Sequence, residues 1–193
     1  MSQRPIANTR ELKEKYADLL KQYSPVVMGE GKKGAKAFMI GEAPGRWEVE
    51  KGRPFVGAAG KNLDEFLEFL ELEREAIYIT NAVKFRPVKK NSGTGRTSNR
   101  APTTKEIEAF RPLLMDEIDL IRPSIIITLG NIPLLSLTGK KIKIGDVHGK
   151  PADFGGRTLY PLYHPASIIY RRELKEVYME DLARLKPLLQ NKL

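Results

Sequence analysis

The segment 124–129 constrains the fold of this chain more than any other stretch. It reads Ser-Ile-Ile-Ile-Thr-Leu and ends at Gly130, so it is apolar and β-branched over almost its whole length. A strand of this kind is buried on both faces, which is typical of a parallel sheet covered by helices on both sides. The segment therefore predicts an α/β fold built around a parallel sheet.

Segments with strand and helix patterns alternate along the rest of the chain. The predicted strands are 35–40, 76–80, 124–129 and 157–162, and the predicted helices are 8–23, 60–72, 103–121, a short one from 131 to about 137, and 172–189. Thr103 and Thr104 ahead of Glu106 form a capping signature for the third of these helices. The order predicts a three-layer α/β/α sandwich with a central, mostly parallel four-stranded sheet. Because 193 residues suit one core and no linker or repeat is present, we expect residues 1–193 to form a single domain.

The composition favours a polyanionic partner and excludes chemistry that depends on cysteine. The chain has 33 Lys and Arg against 24 Asp and Glu, a net charge of +9, which is typical of proteins that bind nucleic acids. It has no cysteine, so disulfides, thiolate metal ligands and thiol nucleophiles are excluded. No apolar run has the length of a membrane span, and the N-terminal residues lack a secretory pattern. We expect a cytoplasmic protein with no membrane partner, and we expect a monomer.

Polar residues follow three of the four predicted strands. Glu42 comes directly after the first strand, in the tight turn Gly41-Glu42-Ala43-Pro44-Gly45; Asn81 ends the second strand, and His164 follows the fourth. Right-handed crossovers bring the carboxyl ends of parallel strands to one edge of a sheet, where such sheets bind ligands. Taken singly, Glu42 is explained by a helix dipole and Asn81 by a turn. Their convergence predicts a site.

An aromatic residue and four sequence blocks point to the kind of site. Phe55 lies between Pro54 and Val56, and a ring held in this way is a platform for a flat ligand. The blocks Gly41-Glu-Ala-Pro-Gly45, Gly52-Arg-Pro-Phe-Val-Gly-Ala-Ala-Gly60, Asn81-Ala-Val-Lys84 and Tyr163-His-Pro-Ala166 together resemble the uracil-DNA glycosylase superfamily. The resemblance runs from Gly29 to the C-terminus and is strongest to the iron–sulfur branch called family four, from bacteria and archaea. It implies a DNA repair enzyme of base excision: a monofunctional hydrolase that flips uracil out of DNA, cleaves its N-glycosidic bond and leaves an abasic site.

The resemblance also implies roles for individual residues. Phe55 would stack on the flipped uracil, Asn81 would read O4 and N3–H, and His164 would bind O2 as the base departs. Glu42 or Glu48 would orient water; we prefer Glu42 and give Glu48 a supporting role, such as holding Asn81. The predicted site consists of the catalytic residues Glu42, Glu48 and His164, the substrate-binding residues Ala43, Gly45, Phe55 and Asn81, and the DNA-binding residues Lys84, Arg86, Asn99, Arg100, Ser167, Arg171 and Arg172.

Two departures from the family-four pattern bear on cofactor and partner. Cysteines that hold the cluster in that branch would fall at Phe85 and near Phe110, so we predict no iron–sulfur cluster and interpret both rings as apolar filling. The only histidines, His148 and His164, have no ligand spacing, so we expect no metal. A long insertion follows Pro87, and residues 89–100 are predicted to be a mobile basic loop.

Two other functions remain open from the sequence. One is a binding module that grips uracil-containing DNA with little or no turnover; the other is a glycosylase for other deaminated bases, hypoxanthine or xanthine. Some relatives capture uracil-DNA covalently through a histidine in an extra basic loop, but the insertion 89–100 contains no histidine. The expected partner in the leading interpretation is uracil-containing DNA.

Overall fold

A five-stranded sheet forms the centre of the molecule. The computed structural model describes residues 9–171 and 173–190. The strands are β1 (Ala37–Gly41), β2 (Tyr78–Asn81), β3 (Val88–Lys90), β4 (Thr97–Asn99), β5 (Ile125–Leu129), β6 (Ala152–Phe154) and β7 (Arg157–Leu162). The central sheet has the order β2-β1-β5-β7-β6, with parallel pairing except between β6 and β7. All four predicted strands are present, and the mostly parallel sheet is confirmed.

The prediction of four strands in the sheet needs one correction, because β6 adds a fifth. It has only three residues, reads Ala-Asp-Phe and pairs antiparallel with β7 at the sheet edge. So short a segment carries no alternation that a sequence pattern can detect. Its strand conformation comes from pairing with β7 across the tight connection at Gly155 and Gly156, both of which have positive φ.

Helices cover both faces of this sheet. They are α1 (Thr9–Lys15), α2 (Ala17–Gln22), α3 (Arg46–Lys51), α4 (Ala58–Phe69), α5 (Thr104–Ile121), α6 (Asn131–Thr138), α7 (Ile144–Val147), α8 (Pro165–Tyr170) and α9 (Leu174–Gln190), with a 3₁₀ turn at Arg74–Ala76. The predicted helix 8–23 is divided at Tyr16, and its first residue lies outside the described part of the chain. The capping box that was predicted for α5 is present, with Thr103 and Glu106 bonded reciprocally.

The two faces of the sheet have separate hydrophobic cores. Successive residues of β1 point to opposite faces, so Met39 belongs to one core while Phe38 and Ile40 belong to the other. Helices α4 and α9 cover the first face, and α5 and α6 cover the second. The residues that seal these layers include Leu63, Phe66, Tyr178 and Leu182 on the first side and Leu114, Ile118, Leu134 and Leu137 on the second. The predicted three-layer sandwich is confirmed.

The insertion after Pro87 is not the irregular loop that the sequence predicted. Its strands β3 and β4 form an antiparallel ribbon, with Val88 opposite Asn99 and Lys90 opposite Thr97. The carboxamide oxygen of Asn91 closes the turn by accepting from the backbone N–H groups of Gly93 and Thr94, at 2.9 Å each. The ribbon is exposed on both faces, so no buried apolar residues mark its strands in the sequence.

Among the helices in the described residues, none is long and apolar enough to cross a membrane.

Candidate active site

Two adjoining cavities open at the carboxyl edge of the sheet, where β1, β2 and β7 end. The larger has a volume of about 330 Å³ and the smaller about 270 Å³. Both are lined by Ala43, Asn99, His164 and Ala166. The larger is also lined by Gly45, Arg46, Trp47, Glu48, Phe55, Gly57, Ala58, Ala59 and Asn81, and the smaller by Glu42, Pro44, Pro87 and Arg100. The structure therefore brings together every residue that the sequence predicted as catalytic or substrate-binding.

The close approach of β1 and β2 at this edge depends on Gly41. It pairs with Asn81 in the parallel ladder. A Cβ atom on Gly41 would lie 2.5 Å from Oδ1 of Asn81 and would overlap the ring of Phe55. The missing side chain thus lets the carboxamide and the ring lie side by side, and both are buried, with Asn81 3% and Phe55 5% exposed.

Phe55 is held in a backbone conformation that its side chain disfavours. Its φ is +53°, in the left-handed region that a bulky residue rarely adopts. Residues held in such unfavourable backbone conformations are concentrated at functional sites. The carboxylate of Glu48 accepts from the backbone N–H groups of Val56, at 3.1 Å, and Gly57, at 2.8 Å. Arg74 donates to the carbonyl of Pro54 at 2.6 Å. Glu48 therefore holds the turn that carries Phe55, and the suggestion that it holds Asn81 is wrong.

The ring of His164 is fixed by a contact with its own loop. Its Nδ1 accepts from the backbone N–H of Ala166 at 3.1 Å, so in the neutral ring the proton is on Nε2. Burial lowers the pKa of the imidazole from 6.5 to about 4, which keeps the ring neutral at physiological pH. The ring centroid lies 6.3 Å from that of Phe55. On the other side of the loop, Asn62 of α4 donates to the carbonyl of Pro165 at 3.1 Å.

The two glutamates differ in their surroundings. Glu48 is buried and uses its carboxylate to hold the Phe55 turn. Glu42 lines the smaller cavity, and burial raises the pKa of its carboxyl above the ordinary value of 4.5. Within residues 9–171 and 173–190, no hydrogen-bond donor contacts the Glu42 carboxylate. A desolvated carboxylate that faces a cavity with no protein partner is available to a water molecule.

Lys84 lies beneath Asn81 and does not reach the surface. Its side chain is 0% exposed, and its ammonium donates to the carbonyl of Asn81 at 2.7 Å and to the carboxylate of Glu117 at 2.6 Å. A third bond, of 2.6 Å, goes to the hydroxyl of Thr80. Burial lowers the pKa of Lys84, and the attraction of Glu117 opposes that shift. The prediction that Lys84 contacts DNA is wrong, because the chain after β2 turns this side chain into the layer between the sheet and α5.

The other predicted DNA-binding residues differ in the contacts that their side chains already make, and of those that the structure describes, only Asn99 and Arg100 line either cavity. Arg86 donates to Oδ1 of Asn99 at 2.8 Å. Arg100 makes two bonds of 2.7 Å to Glu106, so its charge is already paired. The hydroxyl of Ser167 donates to the carbonyl of His164. Arg171 is exposed and lies 3.0 Å from Glu173, while Arg172 lies outside the described residues.

Residues 28–184 match the profile described as the uracil DNA glycosylase superfamily. This chain belongs to that superfamily. The match contains all four sequence blocks that suggested the resemblance and every strand of the central sheet, and it begins after α2.

Proteins named Type-4 uracil-DNA glycosylase are among the relatives of this superfamily member. The one from Saccharolobus solfataricus is 41% identical over 175 residues, which are 86% of this chain and 77% of the relative. The one from Sulfurisphaera tokodaii is 39% identical over 171 residues, 84% of this chain and 74% of the relative. The one from Thermotoga maritima is 38% identical over 165 residues, 83% of this chain and 81% of the relative.

Aromatic rings that contact each other occupy the two positions at which the family-four resemblance would place cluster cysteines. The centroids of Phe85 and Phe110 are 5.7 Å apart, and Tyr23 lies 4.6 Å from the first and 5.1 Å from the second. Cluster ligation needs thiolates, and the chain has no cysteine. These residues do not fit a cluster. Within the described residues, no group of three or more His, Cys, Asp or Glu side chains is arranged to hold a metal ion.

Three positioning residues escaped the sequence analysis. Glu117 neutralises Lys84, Arg74 holds the carbonyl of Pro54, and Asn62 holds that of Pro165. Glu117 left one signal: a charged residue on the apolar face of α5, one position before Ile118. A charge on the core side of an amphipathic helix indicates a buried partner.

Proposed function

We propose that this protein is a uracil-DNA glycosylase that hydrolyses the N-glycosidic bond of uracil in DNA, releases the free base and leaves an abasic site for repair. The observation that carries the proposal is the larger cavity, where Phe55, Asn81 and the neutral ring of His164 converge. Membership in the superfamily and the names of the relatives support it.

Recognition of the base follows from the groups that line the larger cavity. A base must leave the DNA stack to reach a protein pocket. The ring of Phe55 would stack on the flipped uracil, and the carboxamide of Asn81 would donate to O4 and accept from N3–H. Cytosine presents an amine in place of O4 and lacks the N3 proton. Its amine would face the N–H donor of Asn81, and its bare N3 would face the carboxamide oxygen. The turn held by Glu48 keeps Phe55 in position for this contact.

His164 would assist departure of the base. As the C1′–N1 bond breaks, its electron pair moves onto uracil and charge accumulates on O2. Because Nδ1 is occupied by the N–H of Ala166, Nε2 carries the proton and can donate to that oxygen. A preorganised donor to developing negative charge contributes about 3 kcal/mol to transition-state stabilisation. The imidazole needs no proton transfer for this role, which agrees with its low pKa.

Glu42 would act on the sugar side of the same bond. Loss of the base leaves positive charge on the deoxyribose, which a nearby carboxylate stabilises. The smaller cavity, which Glu42 and His164 both line, has room for a water molecule that Glu42 would orient toward C1′. Water adds to C1′, and its proton passes to the carboxylate or to solvent. We therefore assign Glu42 to the water and Glu48 to the support of Phe55.

Contacts to the DNA backbone would come from the rim. We propose that Asn99, Arg86, Ser167 and Arg171 contact phosphates. Asn99 lines both cavities and accepts from Arg86, while Ser167 lies in the first turn of α8 and Arg171 directly follows the end of that helix. Arg100 is better explained as an anchor through its ion pair with Glu106. We propose that no cofactor takes part, since Glu42, Asn81 and His164 supply each step and the chain lacks cluster thiolates.

The experiment that tests the function uses oligonucleotides with a single uracil, hypoxanthine or xanthine. We expect alkali-labile abasic sites in uracil-DNA only, with the same rate in the presence of a chelator. A gel shift without strand cleavage after alkali would favour the binding module. Cleavage at hypoxanthine or xanthine would favour the broader glycosylase, and loss of cleavage in chelator would contradict a reaction without metal.

The organisation of the protein in the cell stays a prediction. The single domain, the monomeric state and the cytoplasmic location are each open to direct measurement.

A further inference from the structure

The β3–β4 hairpin carries unpaired positive charge at the mouth of the site. Lys89, Lys90 and Arg96 are all exposed. Within the described residues, none of the three side chains has a carboxylate partner, whereas Arg53, Arg74 and Arg157 elsewhere each contact an acidic residue. Residues 76–105 contain seven Lys and Arg and not one Asp or Glu. The charge of the hairpin is therefore neutralised neither within the element nor by its neighbours.

The base of this hairpin is fixed to the site. Asn99 and Pro87 line the smaller cavity. The two bonds from Arg100 to Glu106 attach the end of β4 to the start of α5 and, with the capping interactions, lower the pKa of Glu106 to about 2. Arg86 ties the start of the insertion to Asn99. A strand of three residues spans ~10 Å. Because β3 directly follows Pro87, Lys89 and Lys90 lie within about that distance of the cavity mouth.

We propose that the β3–β4 hairpin is an arm that binds phosphates of the DNA strand next to the flipped uracil. The inference rests on the proposed function for its substrate. A fixed ribbon with cations on both faces, ending at the base pocket, matches a backbone with one charge per ~3.4 Å of helix axis per strand. Such contacts position the substrate and carry no sequence information. The arm would strengthen binding to DNA with and without uracil, and it would not alter the chemical step.

The chain offers a matched control, because it has a second exposed Lys-Lys pair. Lys32 and Lys33 precede β1 and lie at the opposite edge of the sheet from the cavities. The test compares Lys89→Ser/Lys90→Ser with Lys32→Ser/Lys33→Ser, which remove the same charge. Binding to uracil-free duplex is measured by fluorescence anisotropy at several salt concentrations, and single-turnover excision is measured at saturating enzyme.

The hairpin variant should bind more weakly and reduce the slope of log K against log [salt] by about 1.8, since each lost phosphate contact contributes about 0.9. The control variant should retain the wild-type slope, and both variants should keep the wild-type excision rate and melting temperature. Equal salt slopes for the two variants would overturn the proposed arm, and so would equal losses of affinity for DNA. If wild type excised nothing while the hairpin variant alone lost DNA binding, the proposed function would fail and the arm would stand.

A second inference rests on a different observation, the exposure of the only tryptophan. Trp47 of α3 lines the larger cavity, yet 54% of its surface is exposed. We infer that its ring stacks on the nucleobase adjacent to the flipped uracil, since aromatic rings at the edge of a nucleic-acid groove bind bases without regard to sequence. The guanidinium of Arg46 lies 5.5 Å from the centre of the indole and donates to Glu50 at 3.0 Å, which holds it beside the ring.

Because Trp47 is the only tryptophan, its fluorescence reports stacking directly. Uracil-DNA should quench it, and an oligonucleotide whose nucleotides flanking the uracil lack bases should not. Trp47→Ala should weaken binding about 5- to 150-fold, and Trp47→Phe should restore most of it. Phe69 is the control: it is also exposed, with a cation 5.6 Å from its ring, at the far end of α4. Unchanged fluorescence with DNA, or an equal effect of Phe69→Ala, would overturn the stacking site.

Discussion

Removal of the Lys84 ammonium group is the most direct test of how this site is supported. Lys84→Met keeps a flexible side chain of similar length but removes the ammonium that bonds Glu117, Thr80 and the carbonyl of Asn81. Both members of the ion pair are 0% exposed. Breaking a buried pair leaves one charge without compensation and costs about 3–5 kcal/mol of the free energy of unfolding. In a protein of this size that corresponds to a melting temperature about 6–20 °C lower.

A second substitution separates the charge from the packing. Glu117→Gln in the same chain removes the stranded charge and keeps an oxygen that can accept from the hydroxyls of Tyr78 and Thr80. The double variant should recover more than about 2 kcal/mol relative to Lys84→Met. The carbonyl of Asn81 would still lack its donor, so uracil excision should stay impaired after stability has returned.

Urea unfolding and single-turnover excision measure the two effects. Lys105→Met, which changes an exposed lysine near the start of α5, is the control and should alter stability by less than about 0.5 kcal/mol. The free energy of unfolding of Lys84→Met could instead lie within about 1 kcal/mol of the wild-type value. The pair would then not be an ionised contact in the native protein, and the reasoning from burial would be refuted. If the double variant excised uracil at the wild-type rate, the bond to Asn81 would have no part in positioning that residue.

Three further predictions concern the reacting groups. Asn81→Asp should slow excision about a hundredfold or more with little change in melting temperature; excision within a few-fold of wild type would show that Asn81 does not read the base. The excision rate should fall in acid with a midpoint above pH 4.5, because burial raises the pKa of Glu42, whereas His164 stays neutral down to about pH 4. A midpoint near pH 6.5 that disappears in His164→Gln would contradict a neutral imidazole. Glu48→Gln, which retains one acceptor for the Phe55 turn, should keep more activity than Glu48→Ala, and equal losses would argue against the supporting role.

The acid sensitivity of folding should come from His164, a different group from the carboxyl that limits excision in acid. His164 has a pKa of about 4 in the folded protein and 6.5 when free. Below 6.5 the unfolded chain takes up a proton that the folded chain does not, so the contribution of the buried neutral ring falls as pH decreases toward 4. Urea midpoints measured between pH 7 and pH 4 should therefore decline more in wild type than in His164→Gln.

The elements that the sequence determined are those whose signals are local. Residues 125–129 form a strand that is buried along its whole length, as their mostly β-branched and apolar side chains predict. Thr103 and Glu106 cap α5 through bonds that span three residues. The sequence blocks after β1, β2 and β7 converge because parallel strands with right-handed crossovers end at one edge. Local pattern and chirality sufficed for these conclusions.

The tertiary structure alone decided which partner each polar side chain has. Lys84 reads as a surface cation until Glu117, 33 residues later, is placed over it by α5. The sequence suggests Asn81 as one group that Glu48 could support, but its carboxylate accepts from the backbone N–H groups of Val56 and Gly57. The β3–β4 ribbon exists through pairing between two segments that each look irregular. The sequence shows which groups a side chain is able to bind. The packing of distant elements decides which group it meets and how deeply it is buried, and therefore its charge and its orientation.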